Sequence, residues 1–282
     1  MKTFGNVSIN TATCGFKFPL TDIIYACAKL GIGAISPWAK EIDGNTELKA
    51  VKKALDETGV KLSGFCRSEY YTYPNSDDRK SSIEKNKHLV DMAAFLGAPC
   101  VVQVVGGLYP ENHSLNVAYD LALSGLEKIL DYASSTDVKI AIEPLHPMQT
   151  ADRSCLNKLE QAIDWCEELD PHDKYKMGIA LDSYHTWWDC SLYSQIKRAG
   201  SRILSVHVSD FLLDTQDLVN DRGLPGSGVI DLNKFVKASE DAGYEGFIEI
   251  EIFSNRTFKK DASLHDILRL SAQSVVDSCN RF

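Results

Sequence analysis

Residues 140–148 read IAIEPLHPM. Ile140, Ala141 and Ile142 form the apolar start of a β-strand, and Glu143 then places a carboxylate at its end, with Pro144 and His146 just beyond. Because side chains alternate across a strand, Ile140 and Ile142 share one face while Ala141 and Glu143 share the other. A strand buried on both sides has little use for a charge. The neighbouring strands decide whether Glu143 meets solvent or takes part in chemistry.

Along the rest of the chain, short β-type runs alternate with amphipathic helical stretches, and the alternation occurs eight times. The β-type runs fall near 7–14, 34–38, 61–67, 100–106, 139–145, 177–183, 202–209 and 246–253. Between them lie helical patterns such as PLTDIIYACAKLG, NTELKAVKKALDETG, SIEKNKHLVDMAAFLG, LNVAYDLALSGLEKILDYASS, NKLEQAIDWCEEL and LNKFVKASEDAG, several closed by the glycine expected after a helix. Strict alternation implies parallel strands joined by right-handed crossovers. Eight such units imply an α/β chain folded as a single (β/α)8 TIM barrel over residues 1–282. The competing architecture is an open doubly wound sheet, but its GxGxxG phosphate cradle is missing from the first strand-to-helix turn, TATCGFKFPLTD. No linker, close repeat or low-complexity segment interrupts the series.

The later strands repeat the parity of the fifth. Ile179 and Leu181 oppose Gly178, Ala180 and Asp182; Leu204, Val206 and Val208 oppose Ser205, His207 and Ser209; Ile248, Ile250 and Ile252 oppose Phe247, Glu249 and Glu251. The bulky aliphatic face belongs under the helices, so the face carrying Glu143, Asp182, His207 and Glu251 points into the barrel. Each of the four also lies near the C-terminal end of its strand, the rim where barrel enzymes place their sites. Taken singly, a strand-end carboxylate more often caps a helix or meets solvent, and a lone histidine is more often a satisfied core residue. The shared parity of all four outweighs that reading. Three carboxylates in one lumen repel one another and cost several kcal/mol in desolvation unless a positive charge lies among them. A divalent cation supplies it, and three oxygen donors with one imidazole favour Mn²⁺, Mg²⁺ or Co²⁺, with Zn²⁺ as the alternative; manganese heads the expectation.

Composition bounds the partners. With 282 residues, 44% apolar and 24% charged, the chain can bury a large core, and no apolar run approaches the roughly 18–20 residues of a membrane span. The start, MKTFGNVSIN, lacks the apolar segment of a secretory signal, so a cytoplasmic location is expected. A net charge of −9 argues against a nucleic-acid partner and for a small neutral or metal-chelated substrate. The eight cysteines are far apart and include no CxxC pair, as expected of reduced core residues.

The stretches IEPLHP, LDSYH, SVHVSD, RGLPGSGVID and GYEGFIEIEIFS resemble the xylose-isomerase-like TIM-barrel superfamily, the sugar phosphate isomerase/epimerase group that also contains ketose 3-epimerases and inosose dehydratases. With the eightfold alternation, the resemblance spans essentially the whole chain. Position by position it implies metal binding by Glu143, Asp182, His207 and Glu251, and leaves Glu249 one layer deeper. It also implies that His185 touches substrate and that Arg222, ahead of the PGxGxID loop, holds substrate oxygens. Ketose 3-epimerases carry a second glutamate six residues after the strand-five ligand, where this chain has Gln149. Gln149 is therefore a substrate-side candidate that departs from the epimerase pattern.

The reaction so implied is a metal-dependent isomerisation or epimerisation of a keto sugar, in which Glu143 and Glu251 flank the substrate, remove a C–H proton and return it. If a leaving group lies β to the carbanion, the same intermediate expels it, and His146 is placed to protonate the departing group. Members of the superfamily that cleave 3-oxo-glycosides, including C-glycosides in concert with a small second subunit, are the precedent for this lyase alternative. Trp187 and Trp188 could form a stacking wall, and Trp38 and Arg67 could complete the pocket. An endonuclease-four type nuclease shares the fold but needs histidines at the ends of strands two and three, which here read SPWAKE and FCRSEYY. A non-catalytic sugar-binding barrel is the remaining alternative. The expected partner is a sugar, with no nucleic acid and no membrane, and a homo-oligomer or small accessory subunit stays open.

Overall fold

Residues 1–111, 113–172 and 176–280 are described by the computed structural model. Its strands are β1 (Val7–Asn10), β2 (Ala34–Ser36), β3 (Lys61–Leu62), β4 (Cys100–Gln103), β5 (Lys139–Ile142), β6 (Met177–Asp182), β7 (Ile203–Val208) and β8 (Ile248–Ile250). The helices are α1 (Leu20–Leu30), α2 (Gly44–Thr58), α3 (Ser76–Leu96), α4 (Leu115–Ala133), α5 (Leu159–Leu169), α6 (Ser183–Thr186), α7 (Leu192–Ala199), α8 (Leu232–Asp241) and α9 (Leu264–Cys279). α1 shows why they form: Leu20, Ile23, Ile24 and Cys27 recur at helical spacing and are buried, and Gly31, at φ 74°, ends the helix in the left-handed conformation that a glycine adopts freely.

All strand pairs are parallel, in the order β3-β2-β1-β8-β7-β6-β5-β4. The two edge strands meet at a bridge between Phe65 and Val101, where the Phe65 N–H donates to the Cys100 carbonyl and the Val102 N–H to that of Phe65, each at 3.0 Å. The sheet thereby curls into the eight-stranded barrel expected from the alternation, and the open sheet is excluded.

Several strands are shorter than the sequence suggests, for local reasons. β1 stops at Asn10 because its side chain accepts from the Ala12 N–H (3.1 Å) and starts a 3₁₀ turn over Thr11–Cys14. β6 stops at Asp182, whose Oδ1 accepts from the Tyr184 N–H (2.7 Å) and caps α6. Beyond β3 the ladder breaks at Ser63 and Gly64, and pairing resumes only as the Trp38–Cys66 and Phe65–Val101 bridges. Polar residues thus turn the chain at the barrel rim.

The parity reading holds with one exception. Ile140, Ile142, Ile179, Leu181, Val206, Val208, Ile248 and Ile250 pack in the core under the helices, while Ala141 and Ala180 pack inside with Trp38, Cys66, Cys100 and Val102. Leu204, expected on the outer face with Val206 and Val208, packs against the inner cluster instead. The register between β6 and β7 shifts at Ile179/Ala180, so Leu204 and Ser205 are consecutive residues on one side of an irregularity. Six of the eight cysteines are buried, and all are free thiols.

Gly178 lies at this crowded point. A Cβ there would stand 2.3 Å from the Arg202 carbonyl oxygen and 2.6 Å from the Leu204 side chain. Gly178→Ala is therefore expected to destabilise the barrel by about 1–3 kcal/mol through overpacking against backbone, read from the midpoint of urea unfolding. An unchanged midpoint would show that β6 and β7 are not packed this closely.

Candidate metal centre

Glu143 and Glu251 each follow directly on their strands, and the sheet holds them there: the Glu143 N–H donates to the Gln103 carbonyl (3.0 Å) and the Glu251 N–H to that of Val208 (3.2 Å). Asp182 and His207 are paired across β6 and β7. The four side chains, all buried, each offer a ligand atom, and these atoms lie within 4.8 Å of one another. Ligands about 2.1 Å from a Mg²⁺-sized ion stand roughly 3 to 4.2 Å apart, so small rotations of the carboxylates suffice to enclose one. His207 turns Nδ1 toward the carboxylates, 3.1 Å from Glu143 Oε1 and 3.9 Å from Glu251 Oε2.

Arg222 is the only guanidinium among the described residues bonded to the group. Its Nη1 donates to Asp182 Oδ2 (3.0 Å) and Glu251 Oε2 (2.9 Å). The long segment after β7 delivers it: buried Asp210 accepts from the N–H groups of Phe211, Gly226 and Ile230, all at 3.0 Å, and the Arg222 N–H donates to the Phe253 carbonyl. Both ring nitrogens of His185 face donors, Nδ1 the His146 N–H (3.1 Å) and Nε2 the Arg222 Nη2 (3.0 Å). Arg222 Nη2 can only donate, so at 3.0 Å the Nε2 of the neutral ring accepts from it; an imidazole accepts at one nitrogen only, and the approach of the His146 N–H to Nδ1 is then a close contact and not a second hydrogen bond.

A second layer lies beneath. Glu249, fully buried on β8, accepts from Asn10 Nδ2 (2.8 Å) and Ser63 Oγ (2.7 Å), and its Oε1 lies 3.5 Å from His207 Nε2. The same Asn10 Nδ2 donates to Glu251 Oε1 (3.1 Å), and its Oδ1 accepts from Trp38 Nε1 (2.8 Å). Sequence reasoning missed Asn10 as a positioning residue, although it is a polar residue closing an apolar strand with the same lumen parity as Ser8.

The remaining candidates divide. Trp38, Arg67, His185 and Arg222 line the cavity of about 20 Å³ over Glu143 and Glu251, with Arg153, Leu145 and Phe253. His146, Trp187 and Gln149 are not among its described lining residues. His146 Nδ1 accepts from the Met148 N–H (3.2 Å) and the ring stands edge-on to Trp188 at 6.0 Å. Trp187 packs on Phe211, 5.0 Å between rings, with its Nε1 buried and without a partner. Gln149 is buried in a 3₁₀ turn with Oε1 unpartnered.

Burial raises the Asp182 carboxyl to about 7, against the pull of Arg222, and raises Glu143 as well, against His207. For His207, burial alone would favour the neutral ring, but Glu249 and then Glu143 hold it well above the ordinary histidine range. Carboxylates that resist ionising beside one guanidinium are a donor set short of positive charge, and a divalent ion fits them. Two outcomes follow. Metal must displace protons from Asp182, Glu143 and His207, so Mn²⁺ affinity measured by calorimetry is expected to strengthen as pH rises through 7 and above it; the metal-free protein, whose folded state binds more protons than the unfolded chain, is expected to lose stability from about 4 upward through 7 and beyond. Glu249→Ala is expected to weaken Mn²⁺ binding by about 10–100-fold by freeing the His207 ring, with Glu249→Gln recovering part of the loss. Affinity independent of both pH and Glu249 would contradict this reading of the centre.

Comparison with known proteins agrees with this geometry. Residues 24–273 match the family described as xylose isomerase-like TIM barrel. A ketose 3-epimerase of Arthrobacter globiformis is 27% identical over 223 residues, covering 77% of this chain and 72% of its own. The crystal structure of a Sinorhizobium meliloti 1021 protein superposes with a TM-score of 0.91 at 38% identity, over 98% of this chain and 99% of that one. The IolI protein, solved with a bound zinc atom, shares the fold at a TM-score of 0.83 and 21% identity, over 97% of this chain and 98% of that one. The chain belongs to the xylose isomerase-like TIM-barrel family.

Proposed function

We infer that the protein is a divalent-metal-dependent sugar isomerase or epimerase, with residues 1–282 acting as one catalytic unit. The single observation that carries this reading is the buried convergence of Glu143, Asp182, His207 and Glu251 at the strand ends, each within reach of one ion. Held by these four residues, a divalent ion would supply Lewis-acid polarisation of a sugar carbonyl and positive charge beside a developing enediolate; Mn²⁺ is the favoured ion, and the zinc in IolI keeps Zn²⁺ in view. The ketose 3-epimerase relative supports the substrate class.

The chain's own residues divide the remaining work. Glu143 and Glu251 approach the cavity from β5 and β8, so one carboxylate takes a C–H proton and the other returns one. Asn10 and Arg222 fix the Glu251 carboxylate from two sides. Arg222 donates through Nη1 to Asp182 and Glu251 and through Nη2 to His185 Nε2, so these bonds orient the guanidinium and the imidazole on the wall of the cavity they share, where a sugar oxygen would meet them. Trp38, held by Asn10 and set edge-on to Phe16 and Phe253 at 5.6 Å, presents an apolar wall.

The elimination reading needs a proton donor at His146. Burial lowers the pKa of that ring and so favours its neutral form, and Nδ1 is engaged by Met148. A neutral imidazole is a weak acid toward a leaving group, so isomerisation or epimerisation is the better fit. The test is solvent deuterium incorporation at the carbon beside the carbonyl in a panel of ketoses, with added Mn²⁺. The wild-type chain is expected to exchange, and Glu143→Gln and Glu251→Gln are each expected to lose at least about 10²-fold. Undiminished exchange in either variant would remove the two-carboxylate mechanism.

A further inference from the structure

We propose that the substrate carries an oxyanion, a carboxylate or a phosphate ester, received by Arg67 and Arg153 on the wall of the metal cavity; this rests on the sugar reading above. The charged residues lining the cavity are Glu143, Glu251, Arg222, Arg67 and Arg153. The first two belong to the metal quartet, and Arg222 is matched by Asp182 and Glu251. Arg67 and Arg153 have no such match, since neither forms an ion pair among the described residues. Arg67 Nη1 reaches only the Ser68 carbonyl, at 3.4 Å, and Arg153 Nε is buried with no hydrogen-bond partner.

In a chain of net charge −9, two guanidiniums without carboxylates at one wall run against the average. A divalent ion and Arg222 together offset the three quartet carboxylates, so Arg67 and Arg153 leave that wall positive. A buried guanidinium N–H without an acceptor costs on the order of 1–3 kcal/mol, and the planar fork of donors fits carboxylate and phosphate oxygens. Arg67 is oriented by its neighbours, with Cζ 4.8 Å from the Tyr70 ring and 5.9 Å from that of Trp38.

A neighbouring cleft carries the same sign. Trp38 and Arg67 also line an outer cleft of about 410 Å³, together with Lys40, Lys85 and His88; Glu69 is the acidic residue there. Lys40 Nζ rests 3.3 Å from the Phe16 ring centroid, beside Trp38. The cleft is large enough for the tail of a hexose, whereas the inner cavity of about 20 Å³ has room for roughly one water. Arg67 lines both spaces, so an oxyanion too large for the inner cavity meets it at their shared wall.

The experiment is calorimetric titration of the full-length, Mn²⁺-loaded chain with D-fructose, D-fructose 6-phosphate and D-fructuronate, in wild type, Arg67→Gln and Arg153→Gln. One of the two anions is expected to bind at least about tenfold more tightly than D-fructose, and which one separates phosphate from carboxylate. Each substitution is expected to remove about tenfold of that preference while leaving Mn²⁺ affinity within about twofold, and added salt is expected to weaken the preference. Equal binding of all three sugars overturns the proposal, as does a preference that survives both substitutions, because the anion is then on the metal. Deuterium exchange separates the two readings: exchange on D-fructose without anion preference removes the subsite alone, and Arg-dependent anion binding without exchange on any probe removes the enediolate reading alone.

Discussion

Burial of three carboxylates and an imidazole in one barrel lumen is the constraint on which the rest of the structure depends. Glu143, Asp182 and Glu251 are all at or below 5% exposed, so water cannot screen their repulsion. Each visible feature of the centre answers that cost in part. Arg222 reaches two of the carboxylates, Asn10 donates to Glu251 and Glu249, and His207 stands between Glu143 and Glu249. The cluster fits a divalent ion, whose charge would complete the balance.

The fold meets this constraint through simple geometry. A parallel barrel brings the C-terminal ends of β5 to β8 to one rim, and the two-residue period of a strand keeps aliphatic residues under the helices while polar ones face inward. The same side chains that end strands also build the site. Asn10 and Asp182 cap the turns that follow them while holding Glu251 and Arg222, so local chain reversal and site electrostatics are one set of contacts.

Much of this was legible in the sequence because it depends on periodicity. Parity and position at the strand ends marked the lumen face, the family resemblance chose Glu251 over Glu249, and the alternation of strands and helices marked the barrel. What stayed illegible depends on register and on distance across the lumen. The irregularity between β6 and β7 turned Leu204 inward, which no periodic reading of ILSVHV can anticipate. Glu249 was visible as a residue one layer deeper, but its place behind His207 Nε2 follows from the pairing of β7 with β8. Arg153 stood near Glu143 in sequence without a parity to read, and only the folded loop brings it to the cavity wall. His146 was the converse case: its sequence position beside Glu143 suggested a cavity residue, and the turn after Pro144 carries its ring toward Trp188.

The most direct test of the centre is a crystal structure of the protein grown with Mn²⁺, with anomalous diffraction recorded at the manganese edge. The expected result is one strong peak within about 2.0–2.4 Å of oxygens from Glu143, Asp182 and Glu251 and of His207 Nδ1, with His207 Nε2 directed at Glu249. No peak at the strand ends, with Arg222 still bridging Asp182 and Glu251 in saturating metal, would contradict it.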